Sequence, residues 1–200
     1  MTHIYFVRHA LPNFDNHDDR ARELTDQGLA DRVLVTDFLV KKEISAVLSS
    51  PYKRAVDTVA DFAQRYGYEV VTIEDFRERR VDSQWVQDFN AFAKMQWQDF
   101  DYKLSDGESL AQTQKRNIAA LRHVLTKYVN QAVAIGSHGT AIGTILRYYL
   151  PSFGYDDFRR FQPKMPWIAE FVFEDERCVK IQGYDLFTGE RECYYDKNDR

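Results

Sequence analysis

Short runs of apolar, β-favouring residues alternate with longer stretches of helical periodicity along most of this chain, the pattern of an α/β domain with a largely parallel sheet. The runs His3 to Arg8, Ile44 to Ser49, Glu69 to Ile73 and Ala132 to Ser137 read as strands. Each is followed by a helix or a helix-bearing loop. Thr25 is the expected N-cap of the first helix, because Leu29, Val33 and Leu34 begin an apolar face just after it. Ser50-Pro51 reads as the start of the second, a cap residue followed by proline at the first helical position. Ser109 with Gln112 three residues on predicts a capping box for a helix running to about Tyr128, whose apolar face includes Ile118, Leu121 and Leu125.

Towards the end, Trp167 to Glu174 and Cys178 to Tyr184 are β-rich runs separated by Asp175-Glu176-Arg177, which predicts an added hairpin and a mixed sheet. Between Val81 and Lys103 the aromatics Trp85, Phe89, Phe92, Trp97 and Phe100 recur at near-helical spacing. A helix packed on the body is the expected form, with a lid over a ligand as the alternative. The segment 80–106 reads as an insertion near the active site and 188–200 as a polar tail, within one domain spanning 1–200.

Composition narrows the class. At 200 residues and 44% hydrophobic the chain can bury one good core. A formal net charge of −4 argues against a nucleic-acid surface, which needs a basic patch. The N-terminal apolar run Ile4 to Val7 ends in Arg8 and is too short for a signal sequence, and no stretch approaches the roughly 20 apolar residues of a membrane helix. Cys178 and Cys193 form no CxxC pair and no disulfide framework, so a soluble, cytoplasmic protein in a reducing compartment is expected.

Open α/β sheets bind ligands beyond the carboxyl ends of their strands, and three such ends here carry a cation or a histidine. Arg8-His9 ends the first strand, His138-Gly139 ends the strand Ala132 to Ser137, and Arg54 sits in the early part of the helix after Ile44 to Ser49. A cation there opposes the positive end of the helix macrodipole, and a bound phosphate would compensate it. Taken singly, Arg54 could point into solvent, and His9 or His138 could be a hydrogen-bonded core histidine. Neither HExxH nor a Cys/His cluster at metal-ligand spacing is present, so no metal is expected. His3, His17 and His123 have no motif context.

Val7-Arg8-His9-Ala10, Leu24-Thr25-x-x-Gly28, Ser49-Ser50-Pro51-x-x-Arg54-Ala55-x-x-Thr58, Glu78, Gly107-Glu108-Ser109 and Ser137-His138-Gly139, in this order, resemble the histidine phosphatase superfamily, the phosphoglycerate mutase-like family. The resemblance runs from about His3 to Gly139. It implies a three-layer α/β sandwich, its central sheet mostly parallel with helices on both faces, working without metal or other cofactor. It also implies that His9 is phosphorylated, that Arg8, Arg54 and His138 hold the phosphoryl group, and that Glu78 gives a proton to the leaving group. Taken alone, a glutamate among arginines would be a surface ion pair. Asn13 is the expected further substrate contact, with Asn16 as its alternative, and Gly139 is expected to let backbone N–H groups approach the anion.

Two positions depart from the family pattern: Ala10 replaces the usual glycine, and Leu11 stands where many mutases have glutamate. Leu11 and the short insertion favour a phosphatase acting on a small phosphorylated metabolite. A cofactor-dependent phosphoglycerate mutase is the alternative, followed by a phosphoprotein phosphatase or a non-catalytic binding relative. Neither a nucleic-acid nor a membrane partner is expected, and a homodimer is left open.

Overall fold

Strand β1, Thr2–Arg8, buries almost every side chain, Ile4 and Phe6 to one face and Tyr5 and Val7 to the other, so helices must cover both faces of the sheet. The computed structural model, which describes residues 1–84 and 86–198, has that arrangement. Along the chain α1 (Asp26–Leu39), β2 (Ile44–Ser49), α2 (Lys53–Tyr66) and β3 (Val70–Thr72) follow β1. A single 3-10 turn, Glu74–Phe76, precedes α3 (Phe89–Gln98), α4 (Leu110–Lys127), β4 (Ala132–Ser137), α5 (Gly139–Tyr149) and α6 (Tyr155–Phe161). The strands β5 (Trp167–Glu174), β6 (Arg177–Asp185) and β7 (Arg191–Asp196) close the chain.

The seven strands form one sheet in the order β3-β2-β4-β1-β5-β6-β7. From β3 to β1 all pairings are parallel, and from β1 to β7 all are antiparallel. The sheet is therefore a mixed one, half parallel. Helices α1 and α2 cover one face through Val35, Leu39, Val59 and Phe62. On the other face Ile118, Leu121, Ile142 and Ile145 of α4 and α5, with Phe158 and Phe161 of α6, pack on Phe6, Ile135 and Phe171. Phe6 is fully buried with edge-on contacts to Phe76 and Phe171, so Phe6→Ala would cost about 3–5 kcal/mol.

Several expected local signals are present. Thr25 caps α1, its Oγ accepting from Gly28 N at 3.0 Å, and Ser109 and Gln112 form the reciprocal capping box of α4. Asp175 takes φ 53° in the hairpin between β5 and β6. Two expectations need correction. Helix α2 begins at Lys53 with Tyr52 as N-cap, so Pro51 is not its first residue and Ser50 does not cap it. Nor is 188–200 simply a tail, because β7 pairs with β6 through Arg191–Asp196; its exposed, charged residues conceal an edge strand.

Between 80 and 106 the aromatic segment forms α3, and Trp97 stacks on Phe158 at 5.2 Å and meets Phe153 at 5.8 Å. It is thus a helix packed on the body, as expected; Trp85 lies outside the described residues. Among those residues no helix is long and apolar enough to cross a membrane.

Candidate active site

The parallel strands place their polar termini together at one edge of the sheet. Arg8 pairs in register with Ser137, and His9 N continues the ladder to Ser137 O at 3.1 Å, so His9 and His138 leave adjacent strands side by side. Their rings meet edge to face at 5.4 Å. Arg54, in the first turn of α2, is tied to the same point through Thr58, whose Oγ1 donates to Arg54 O at 2.7 Å and accepts from Ala10 N at 3.0 Å. Ala10 is fully buried, its methyl accommodated where the family usually has glycine.

His9 Nδ1 lies 2.8 Å from the carbonyl of Ala10, which can only accept, so Nδ1 carries the hydrogen and Nε2 the free lone pair. Burial, then the charges of Arg54 and Arg8, hold this imidazole well below its ordinary pKa. His138 is displaced the same way, by burial, Arg54 and His9, and its Nε2 is 2.7 Å from Ser50 Oγ. Both rings are therefore neutral near neutral pH. Arg8 is lowered to about 10, chiefly by burial, with Glu78 opposing and Arg54 adding to the shift; it stays charged at neutral pH. Its Nη1 donates to the carbonyls of Phe161 and Lys164 at 3.0 Å and to that of Gln162.

Arg54 is paired with an anion of the protein itself, where a bound phosphate is expected from the sequence. Asp19 accepts from Arg54 Nη2 through Oδ1 at 3.0 Å and from Nη1 through its carbonyl at 2.5 Å, while the Tyr52 ring lies 5.1 Å from the guanidinium carbon. Asp19 also meets Arg22 at 3.3 Å. Arg54 does not point into solvent, since it is buried.

Glu78 is no surface ion pair either. Only 14% of its side chain is exposed, and its two oxygens accept from Arg79 N at 2.8 Å and Thr140 N at 3.0 Å, the latter in the first turn of α5. At Gly139, which opens that helix, a Cβ would stand 3.1 Å from Arg8 Nε and 3.3 Å from its Cζ. The missing side chain makes room for the arginine. Asn13 is not drawn into the cluster. Its amide and that of Asn16 each donate to Glu23 at 2.7 Å, holding that carboxyl at about 2, and so fasten their own loop.

Sequence reasoning missed Asp19 and Arg79. Arg79 is buried, donates to Gln96 at 2.6 Å and Thr140 at 2.5 Å, and faces the rings of Phe89 and Phe92, so it links α3 to the start of α5. No spacing marks either residue. Among the described residues no three His, Cys, Asp or Glu side chains are grouped to hold a metal ion.

A mixed sheet with two strand-end histidines and the buried arginines Arg8, Arg54 and Arg79 is the arrangement of a phosphoryl-handling enzyme. The chain belongs to the histidine phosphatase superfamily (branch 1), whose family model matches residues 4–184. It is 29% identical over 163 residues to a metal-independent phosphoserine phosphatase of Arabidopsis thaliana, covering 72% of this chain and 67% of that protein. Among solved structures it resembles an Entamoeba histolytica phosphoserine phosphatase bound to 3-phosphoglyceric acid, with TM-score 0.71 and 23% identity over 90% of this chain and 94% of the other. A mycobacterial glucosyl-3-phosphoglycerate phosphatase shares the fold at TM-score 0.67 and 15% identity over 98% of both chains.

Proposed function

We propose that this protein hydrolyses the phosphomonoester of a small metabolite through a phosphohistidine on His9. The observation that carries the reading is the tautomer and charge of that ring: Nδ1 is committed to the Ala10 carbonyl, and burial among cations keeps Nε2 unprotonated. Nε2 attacks phosphorus as the bond to the leaving oxygen breaks, and Glu78 supplies that oxygen with a proton. Arg8, Arg54 and His138 carry the charge of the phosphoryl oxygens, in a buried setting where such interactions are strong. Water then attacks phosphorus, the N–P bond breaks, and Glu78 takes the water's proton back. Arg8 Nε and His138 Nδ1, buried and with no hydrogen-bond partner among the described residues, are suited to phosphoryl oxygens.

Leu11 in place of glutamate favours hydrolysis over mutase chemistry. Small phosphorylated acids such as phosphoserine and 3-phosphoglycerate are the first substrates to test, since similar proteins bind them. His9→Ala should abolish turnover of p-nitrophenyl phosphate together with acid-labile, base-stable labelling of the protein by a radioactive phosphate donor. Undiminished turnover would refute the mechanism.

A further inference from the structure

Glu78 sits in a stretch, 77–82, that has neither helix nor strand, so no ladder of backbone bonds fixes it. Arg116, in the second turn of α4, does this instead. Its Nη1 donates to the carbonyls of Asp75 at 2.8 Å and Arg77 at 2.7 Å, and its Nη2 donates to the carbonyl of Glu78 at 3.1 Å. The remaining two N–H groups form a bidentate pair with Glu108, Nε at 2.9 Å and Nη2 at 3.0 Å. A guanidinium has five donors, and all five are used. Glu108 grips the other side of the same stretch: its carboxylate accepts from Arg80 N at 3.0 Å and Arg77 Nη2 at 3.0 Å, and its own N–H donates to Arg80 O at 2.8 Å. The neighbouring Gly107 allows this apposition, because a Cβ there would stand 2.2 Å from the carbonyl oxygen of Val81.

We infer that Arg116, with Glu108, is a positioning residue for proton transfer, fixing the backbone on both sides of Glu78 so that its carboxyl stands at the start of α5 facing the reacting group. The inference rests on reading Glu78 as the proton donor. Arg116 reaches His138 only through its charge, while it serves Glu78 by direct hydrogen bonds to the backbone. Displacing an acid by about an ångström costs on the order of 10²-fold where the proton is needed, and little where it is not.

The test is the ratio of kcat/KM for an alkyl phosphate to that for p-nitrophenyl phosphate, whose leaving group needs no proton. This ratio is independent of the fraction of enzyme folded. In Arg116→Gln it should fall by about 10- to 100-fold, with Arg116→Lys intermediate because an ammonium has three donors rather than five. Glu108→Gln should shift it in the same direction and serves if Arg116→Gln does not fold. In a Glu78→Gln background, Arg116→Gln should lower the ratio no further. If Glu78→Gln shifts the ratio while the Arg116 and Glu108 variants slow both substrates equally, the positioning role is overturned and the proton-donor reading stands. If Glu78→Gln leaves the ratio unchanged, the donor reading falls and the inference falls with it.

Discussion

Two buried neutral histidines should make the protein lose stability in mild acid, in a window that carboxylates do not share. His9 and His138 both have native pKa values well below the ordinary value of about 6.5. The unfolded chain therefore binds protons that the native one refuses, so the full contribution is present above about pH 6.5 and is lost as pH falls. Going from about pH 7 to about pH 5.5 should remove on the order of 1 kcal/mol per histidine, and about twice that for the pair. Carboxylates enter later. Burial works to raise Glu170, but hydrogen bonds from His3, Tyr184 and Tyr5 hold it at about 2, so its contribution is lost only below the ordinary carboxyl range. Urea unfolding at a series of pH values, in phosphate-free buffer, measures the effect. In His9→Asn, whose side-chain amide can still donate to the Ala10 carbonyl, the fall should be about half as large. A flat stability between these pH values, or an undiminished fall in His9→Asn, would refute the account of two uncharged rings.

Other expected outcomes follow from the arginines. Gly139→Ala would place a methyl 3.1 Å from Arg8 Nε, and kcat/KM should drop about 10- to 100-fold while urea midpoints change little, because a small displacement of a cation in the proposed phosphate-holding role costs rate more than stability. Asp19→Asn removes a negative charge beside Arg54 and Arg22, so inorganic phosphate should inhibit about 3- to 10-fold more tightly; weaker inhibition would mean that Asp19 chiefly aligns Arg54.

Elements with one dominant physical signal were legible in the sequence. β1, β2 and β4 are short apolar runs because the sheet is covered on both faces, and Thr25 and Ser109 mark real helix starts. Ser50-Pro51 misled because Ser50 had another use: its Oγ bonds His138, and α2 waits until Lys53. β7 was hidden because Arg191, Glu192 and Cys193 are exposed at the sheet edge, leaving no apolar alternation to read. In the site, Arg8, His9 and His138 could be found from their strand-end positions and Arg54 from its place in the first turn of the helix after β2. Glu78 came only from the family resemblance, since a carboxylate in an irregular stretch has no periodicity.

The least legible part of the site is the part built from backbone. Motif resemblance ends near Gly139, yet the family model continues to residue 184, and the structure gives a reason for the difference. Arg8 leaves the parallel half of the sheet, but its Nη1 is held by the carbonyls of Phe161, Gln162 and Lys164, in the segment that leads into β5. Arg116 likewise collects the carbonyls of Asp75, Arg77 and Glu78. Nearly any side chain can sit on a residue whose carbonyl does the binding, so such contacts leave no motif in the sequence. They still constrain the donor, which must be an arginine with several N–H groups at fixed angles. The segment from the end of α6 to the start of β5 thus contributes no recognisable site side chain, and yet its carbonyls help fix the guanidinium next to His9.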